Sequence, residues 1–110
     1  MATTYKILGQ VEPGGTSSVD LYTVPAATQA IVSSLVIANT SGEAKTFRIF
    51  VREAGATAGT DNAIAYDTSL AANSQVAFTL GLTLQATDTI SVRSETANAL
   101  TFQAFGSELT

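Results

Sequence analysis

The chain has 110 residues, of which 45% are hydrophobic and 13% charged, so it reads as one folded domain spanning 1–110 and not as a disordered segment. A formal net charge of −4, with only five Lys and Arg, supplies no basic patch for the phosphates of nucleic acid. His, Cys and Trp are all absent, which removes the usual nucleophile–base pairs, the soft metal ligands, disulfides and the strongest sugar-stacking side chain.

Met1 to Lys6 lacks the basic segment and apolar core of a signal peptide, and no apolar run has the length of a membrane-spanning helix. The expectation is therefore synthesis in a cytoplasm with no membrane partner. Thr4 to Val11 alternates, with Tyr5, Ile7 and Val11 on the side expected to face the core and Leu8 opposed to them. Pro13, Gly14 and Gly15 then form a turn, and Ser18 to Val24 is a second strand stopped by Pro25. Tyr22, too, falls on the face opposed to the expected core. Ala30 to Asn39 carries Ile31, Val32, Leu35, Val36 and Ile37, apolar on both faces as in a central, covered strand. Asn39, Thr40, Ser41 and Gly42 read as a hairpin turn, since Asn and Gly tolerate positive φ.

Phe47, Ile49 and Val51 point one way, while Arg48, Phe50 and Arg52 point the other. Glu53 to Asn62, with Gly55 and Gly59 among Ala and Thr, is the longest expected loop. Ile64, Tyr66, Thr68 and Leu70 mark the next strand, followed by Val76, Phe78 and Leu80. Gly81 is expected to bend or bulge that strand before Leu82 and Leu84. Ile90 and Val92 form another strand. Leu100, Phe102 and Ala104 form the last, with Phe105 on its opposite face. About eight strands at regular spacing, with no helical period, predict an all-β, antiparallel, jelly-roll-like sandwich. An Ig-like sandwich is the alternative, lacking its usual Trp and paired Cys.

Candidate chemistry is sparse. Asp61, Asp67 and Asp88 lie near turns but lack the spacing of a cation loop, and read as solvated turn residues. No Ser or Thr has an activating partner, so neither a catalytic residue, a metal site nor a cofactor is expected. The sequon at Asn39 reads as silent. The unexplained group is apolar or aromatic residues on the wrong face, interleaved with Arg: Leu8, Tyr22, Arg48, Phe50, Arg52 and Phe105. Aromatic and Arg side chains are enriched at interfaces, which makes these six the candidate interface.

The segments Tyr5–Gln10, Leu21–Ala26, Val36–Asn39 and Phe47–Arg52 resemble small virion structural proteins of tailed bacteriophages. So do Tyr66–Thr68, Leu80–Leu84, Ala86–Asp88 and Phe105–Glu108, and the likeness runs along essentially the whole chain. The resemblance implies a β-sandwich part of a virion, made in the bacterial host cytoplasm. Within it, a capsid decoration (cement) protein docked on the major capsid protein is favoured over a tail, baseplate or fibre module. It implies no enzyme. The off-face aromatics and the general preference for closed symmetry add an expected homo-oligomer, with a trimer favoured. A carbohydrate-binding domain presenting a sugar to the 53–62 loop is the alternative of a different class.

Overall fold

The computed structural model describes residues 2–110, which form nine β-strands: β1 (Thr3–Val11), β2 (Val19–Thr23), β3 (Gln29–Asn39), β4 (Lys45–Arg52), β5 (Ala63–Leu70), β6 (Gln75–Phe78), β7 (Leu82–Leu84), β8 (Thr89–Ser94) and β9 (Leu100–Leu109). The first sheet runs β1-β9-β3-β6, with β7 also on β3, and the second runs β2-β8-β4-β5. All pairings are antiparallel.

β6 and β7 lie end to end along β3, broken near Gly81, whose φ of 62° suits a residue without Cβ. Counted as one broken strand, they make the pairing nest from the outside in: β1 with β9, β2 with β8, β3 with β6 and β7, β4 with β5. This is the order of a jelly roll and not of an Ig sandwich.

Alternation along each strand sends one row of side chains inward. Val32, Leu35, Ile37 and Phe102 from the first sheet meet Phe47, Ile49, Ile90 and Val92 from the second, all essentially solvent-free. Phe47 sits at the centre, edge-on to Phe102 and to Phe78 with ring centroids 6.2 Å away in each case.

Three β-bulges overturn faces expected from simple alternation. In β1 the register shifts between Ile7 and Gly9, so Leu8 turns into the core while Ile7 and Tyr5 face solvent, 51% and 84% exposed. In β2 the shift between Asp20 and Tyr22 sends both Leu21 and Tyr22 inward. In β5, Asp67 takes a φ of 51° opposite a register shift, so Leu70 is buried while Tyr66 and Ile64 face outward. Leu8 and Tyr22 are therefore core residues, not off-face ones.

The segment after Asn39 is also not a hairpin, because β3 and β4 belong to different sheets. Neither Asn39 nor Gly42 has positive φ. Asn39 is 2% exposed, and its Nδ2 donates to the carbonyls of Glu43 (2.9 Å), Leu70 (3.0 Å) and Ala71 (3.2 Å). Its Oδ1 accepts from the Ser41 amide (2.9 Å) and hydroxyl (2.7 Å). One side chain thus ties the crossover between the sheets to the end of β5.

The 53–62 loop is the longest connection. Its backbone is fastened at both ends: Arg52 Nε donates to the Ala56 carbonyl at 2.6 Å, and the Val51 amide to the Asn62 carbonyl at 2.9 Å.

Candidate interaction surfaces

The outer faces of the two sheets differ in kind. On the second sheet the alternation of β4 delivers Arg48, Phe50 and Arg52 outward, and β8 adds Arg93 beside Arg48. The bulge in β5 aims Asp67 at Arg48, which holds it by two bonds, Nε–Oδ1 at 2.7 Å and Nη2–Oδ2 at 3.1 Å. Arg93 lies 3.6 Å from the same carboxylate. The hydrogen bond from Arg48, ahead of its charge and that of Arg93, holds the Asp67 carboxyl below its ordinary range. The Arg48 guanidinium stacks 4.0 Å above the centre of the Tyr66 ring, and Tyr66 in turn stands edge-on to Phe50 at 6.4 Å. Phe50 is on the expected face, yet only 4% exposed. It is the floor of a small outer cluster, not a free aromatic.

Arg52 makes a second network. Its Nη1 donates to Asp20 Oδ1 at 3.0 Å and to Ser91 Oγ at 2.9 Å. Every charged group of this face therefore has a partner within the chain, and docking it against a partner would mean desolvating ion pairs.

The first sheet is the reverse. Its strands hold two charged residues, Lys6 and Glu108, paired at 3.4 Å. Both belong to the inward side by register, since Lys6 lies across from Gly106 and Val32, and Glu108 beside Ala30. Glu108 also accepts a 2.6 Å bond from the Tyr22 hydroxyl, across the sandwich. Burial, then that bond and the Glu108 charge, push the Tyr22 phenol well above its ordinary range.

By register no charged residue points from the outer face of this sheet, which carries Tyr5, Ile7, Ile31 and Phe105, with a shallow groove of about 530 Å³ among them that Lys6 borders on the edge strand. Phe105, half-buried, is the one candidate of the six on this face, directly across from Ile7. Tyr5, Ile7 and Ile31 were not singled out from sequence. For Tyr5 and Ile7 the signal is the glycine after Leu8, at the β1 bulge, where a Cβ would overlap the Leu21 carbonyl; Ile31 carries no such local signal. The six candidates accordingly divide into core (Leu8, Tyr22), the outer cluster of the second sheet (Arg48, Phe50, Arg52) and the apolar face of the first (Phe105).

The acidic residues do not converge, and no group of three or more potential metal-ligating side chains occurs among the described residues. Asp88 is not a solvated turn residue: it is buried and accepts from the amides of Ala54 and Gln85, both at 3.0 Å, clasping two loops.

No protein-family model and no curated protein sequence matches this chain. Among solved structures it is similar to a chain in the structure of the Gx strain of infectious bursal disease virus, with a TM-score of 0.51 at 14% identity over 97% of its length. A chain of the crystallised T13 particle of the same virus is similar too, with a TM-score of 0.51 at 12% identity over 96%. The present chain spans 31% and 30% of those chains. At such identities the likeness is one of fold: the jelly roll described above also occurs, as a part, in chains of an icosahedral virus particle.

Proposed function

We propose that this chain is a virion structural protein, a capsid decoration protein that docks on the major capsid protein and stabilises the assembled shell. The observation that carries the reading is the match of nearly the whole jelly roll to part of chains from a virus particle. The resemblance of its segments to small tailed-phage virion proteins points the same way and supplies the bacterial setting. The chemistry of the surfaces agrees with a part that associates with other chains, a second copy of itself included: the polar groups of the second sheet are spent on one another, and the first sheet offers a largely apolar face. Stabilisation would follow from mass action, because a protein that binds the shell and not its dissociated subunits adds its binding free energy to the shell, multiplied over many copies.

The test is copy number in purified parent particles, by quantitative mass spectrometry against the major capsid protein. A fixed, near-integral ratio is expected for decoration. A few copies per particle would move the protein to the tail or fibres, and absence would overturn the virion reading.

A further inference from the structure

We infer that the outer face of the first sheet docks on the same face of a second copy of this chain, around a two-fold axis parallel to the strands. The order of side chains across the sheet favours this pair over the trimer expected from sequence, whether or not the protein belongs to a virion.

Register aligns the outward residues in rows running β1, β9, β3, then β6 or β7. One row reads Tyr5, Ser107, Ile31, Thr83. Its sizes alternate large, small, large, small, so the reversed row is its complement. A two-fold axis along the strands reverses the row: Tyr5 of one copy then lies over Thr83 of the other, and Ile31 over Ser107. The next row reads Ile7, Phe105, Ser34, and ends in the break between β6 and β7. Reversed, it sets Phe105 over Ser34 and Ile7 over the break. A row of Gln10, Gln103, Val36 and Ala77 follows the same rule at its ends, Gln over Ala. Two adjacent sheets packed in this way interdigitate at about 10 Å, as in a sandwich core.

Charge favours the same choice. Each copy carries a net charge of −4, so copies repel, and a seam without unpaired charge keeps that repulsion at distances where salt screens it. This face brings no unpaired charge to the seam, since Lys6 at its border is held by Glu108 at 3.4 Å. The Arg and Asp residues of the second sheet stay behind about 10 Å of protein, near the screening length at physiological salt.

Area is sufficient. β3 has 11 residues and β9 has 10, which makes the face about 35 Å long and, over four strands, about 19 Å wide. Each copy would bury on the order of 600 Å², and the total clears the roughly 1,000 Å² that a specific interface needs. The exposure of Tyr5 and Ile7 on the outermost strand is explained at once, since both are covered in the pair.

Light scattering and sedimentation equilibrium of the purified chain test the inference. The expected mass is twice the 11.3 kDa of one chain. Ile31→Glu, at a position 39% exposed, should give a folded monomer with an unchanged far-UV spectrum. Tyr5→Glu is the second variant and should do the same. The chain has no cysteine, so the double variant Tyr5→Cys, Thr83→Cys reports geometry directly. The two positions lie on opposite edges of one sheet, about 14 Å apart, too far for a disulfide within a copy. Mild oxidation should therefore give a covalent dimer and nothing larger. A monomeric or three-fold mass for the parent chain, dimers untouched by both Glu substitutions, or a ladder of cross-linked oligomers would each overturn it.

Discussion

Replacing Asn39 with Ala removes two N–H donors shared among three carbonyls, and one acceptor oxygen that takes two bonds, from a buried crossover. The bond to the Leu70 carbonyl lies in a buried setting, so that acceptor is left without water as well as without its donor. Leaving one such group unsatisfied costs about 1–3 kcal/mol, and the part-buried bonds, whose partners regain water, add about 0.5–1 kcal/mol each. The expected loss is therefore at least about 3 kcal/mol, a large share of the 5–15 kcal/mol that is usual for a domain. It corresponds to a fall of roughly 12 °C in Tm for a chain of this size. Urea unfolding followed by far-UV circular dichroism measures it, with the midpoint moving and the slope constant.

Asn39→Asp sharpens the test. At neutral pH it aims a carboxylate at three carbonyls, so it should cost more than Asn39→Ala and recover part of the loss as acid protonates the new group. A loss below about 0.5 kcal/mol for the Ala variant, or an Asp variant no worse than Ala at neutral pH, would refute the assignment of Asn39 as the staple between the sheets.

Phe47→Ala should cost about 3–5 kcal/mol in the same assay, and Phe78→Ala clearly less, because Phe78 is only half-buried at the rim of the core. Phe50→Ala should destabilise the isolated chain by about 2–3 kcal/mol, since Phe50 is covered by Tyr66 and not by a partner; an unchanged stability would mean that Tyr66 does not cover it. Gly106→Ala should cost more than about 2 kcal/mol, because the new Cβ would overlap the Ile31 backbone carbonyl, which no rotamer change relieves. The Tyr22 phenol is raised in the folded chain, so its contribution is complete below the unfolded value near 10 and is lost as pH climbs above it. Tyr22→Phe should therefore flatten the alkaline side of the stability profile, and an unchanged alkaline slope would contradict the Tyr22–Glu108 contact.

Strand positions were readable because each strand carries its own alternation and each turn its own breakers. Phe47, Ile49 and Val51 face inward and Arg48 and Arg52 outward, as the period-2 pattern requires, and Gly81 breaks the strand where it was expected to. What alternation could not reveal was parity across an inserted residue. Counting in twos puts Leu8 and Tyr22 on the outer face, and each lies next to a bulge that resets the count. Asn39 was misread for another reason: its role is long-range, bonding carbonyls more than thirty positions away, and local turn chemistry looks the same for a hairpin as for a crossover. The uncharged face was hidden for both reasons together, since Tyr5 and Ile7 were counted into the core and Ile31 meets them only through β9.

The measurement that bears most directly on the proposed role is the heat stability of parent particles made with and without this protein. Decoration predicts that particles lacking it assemble but release their genome at a lower temperature, and that adding the purified protein restores the original value with saturation at a fixed stoichiometry. Particles that are equally stable without it, or that fail to take it back, would contradict the account.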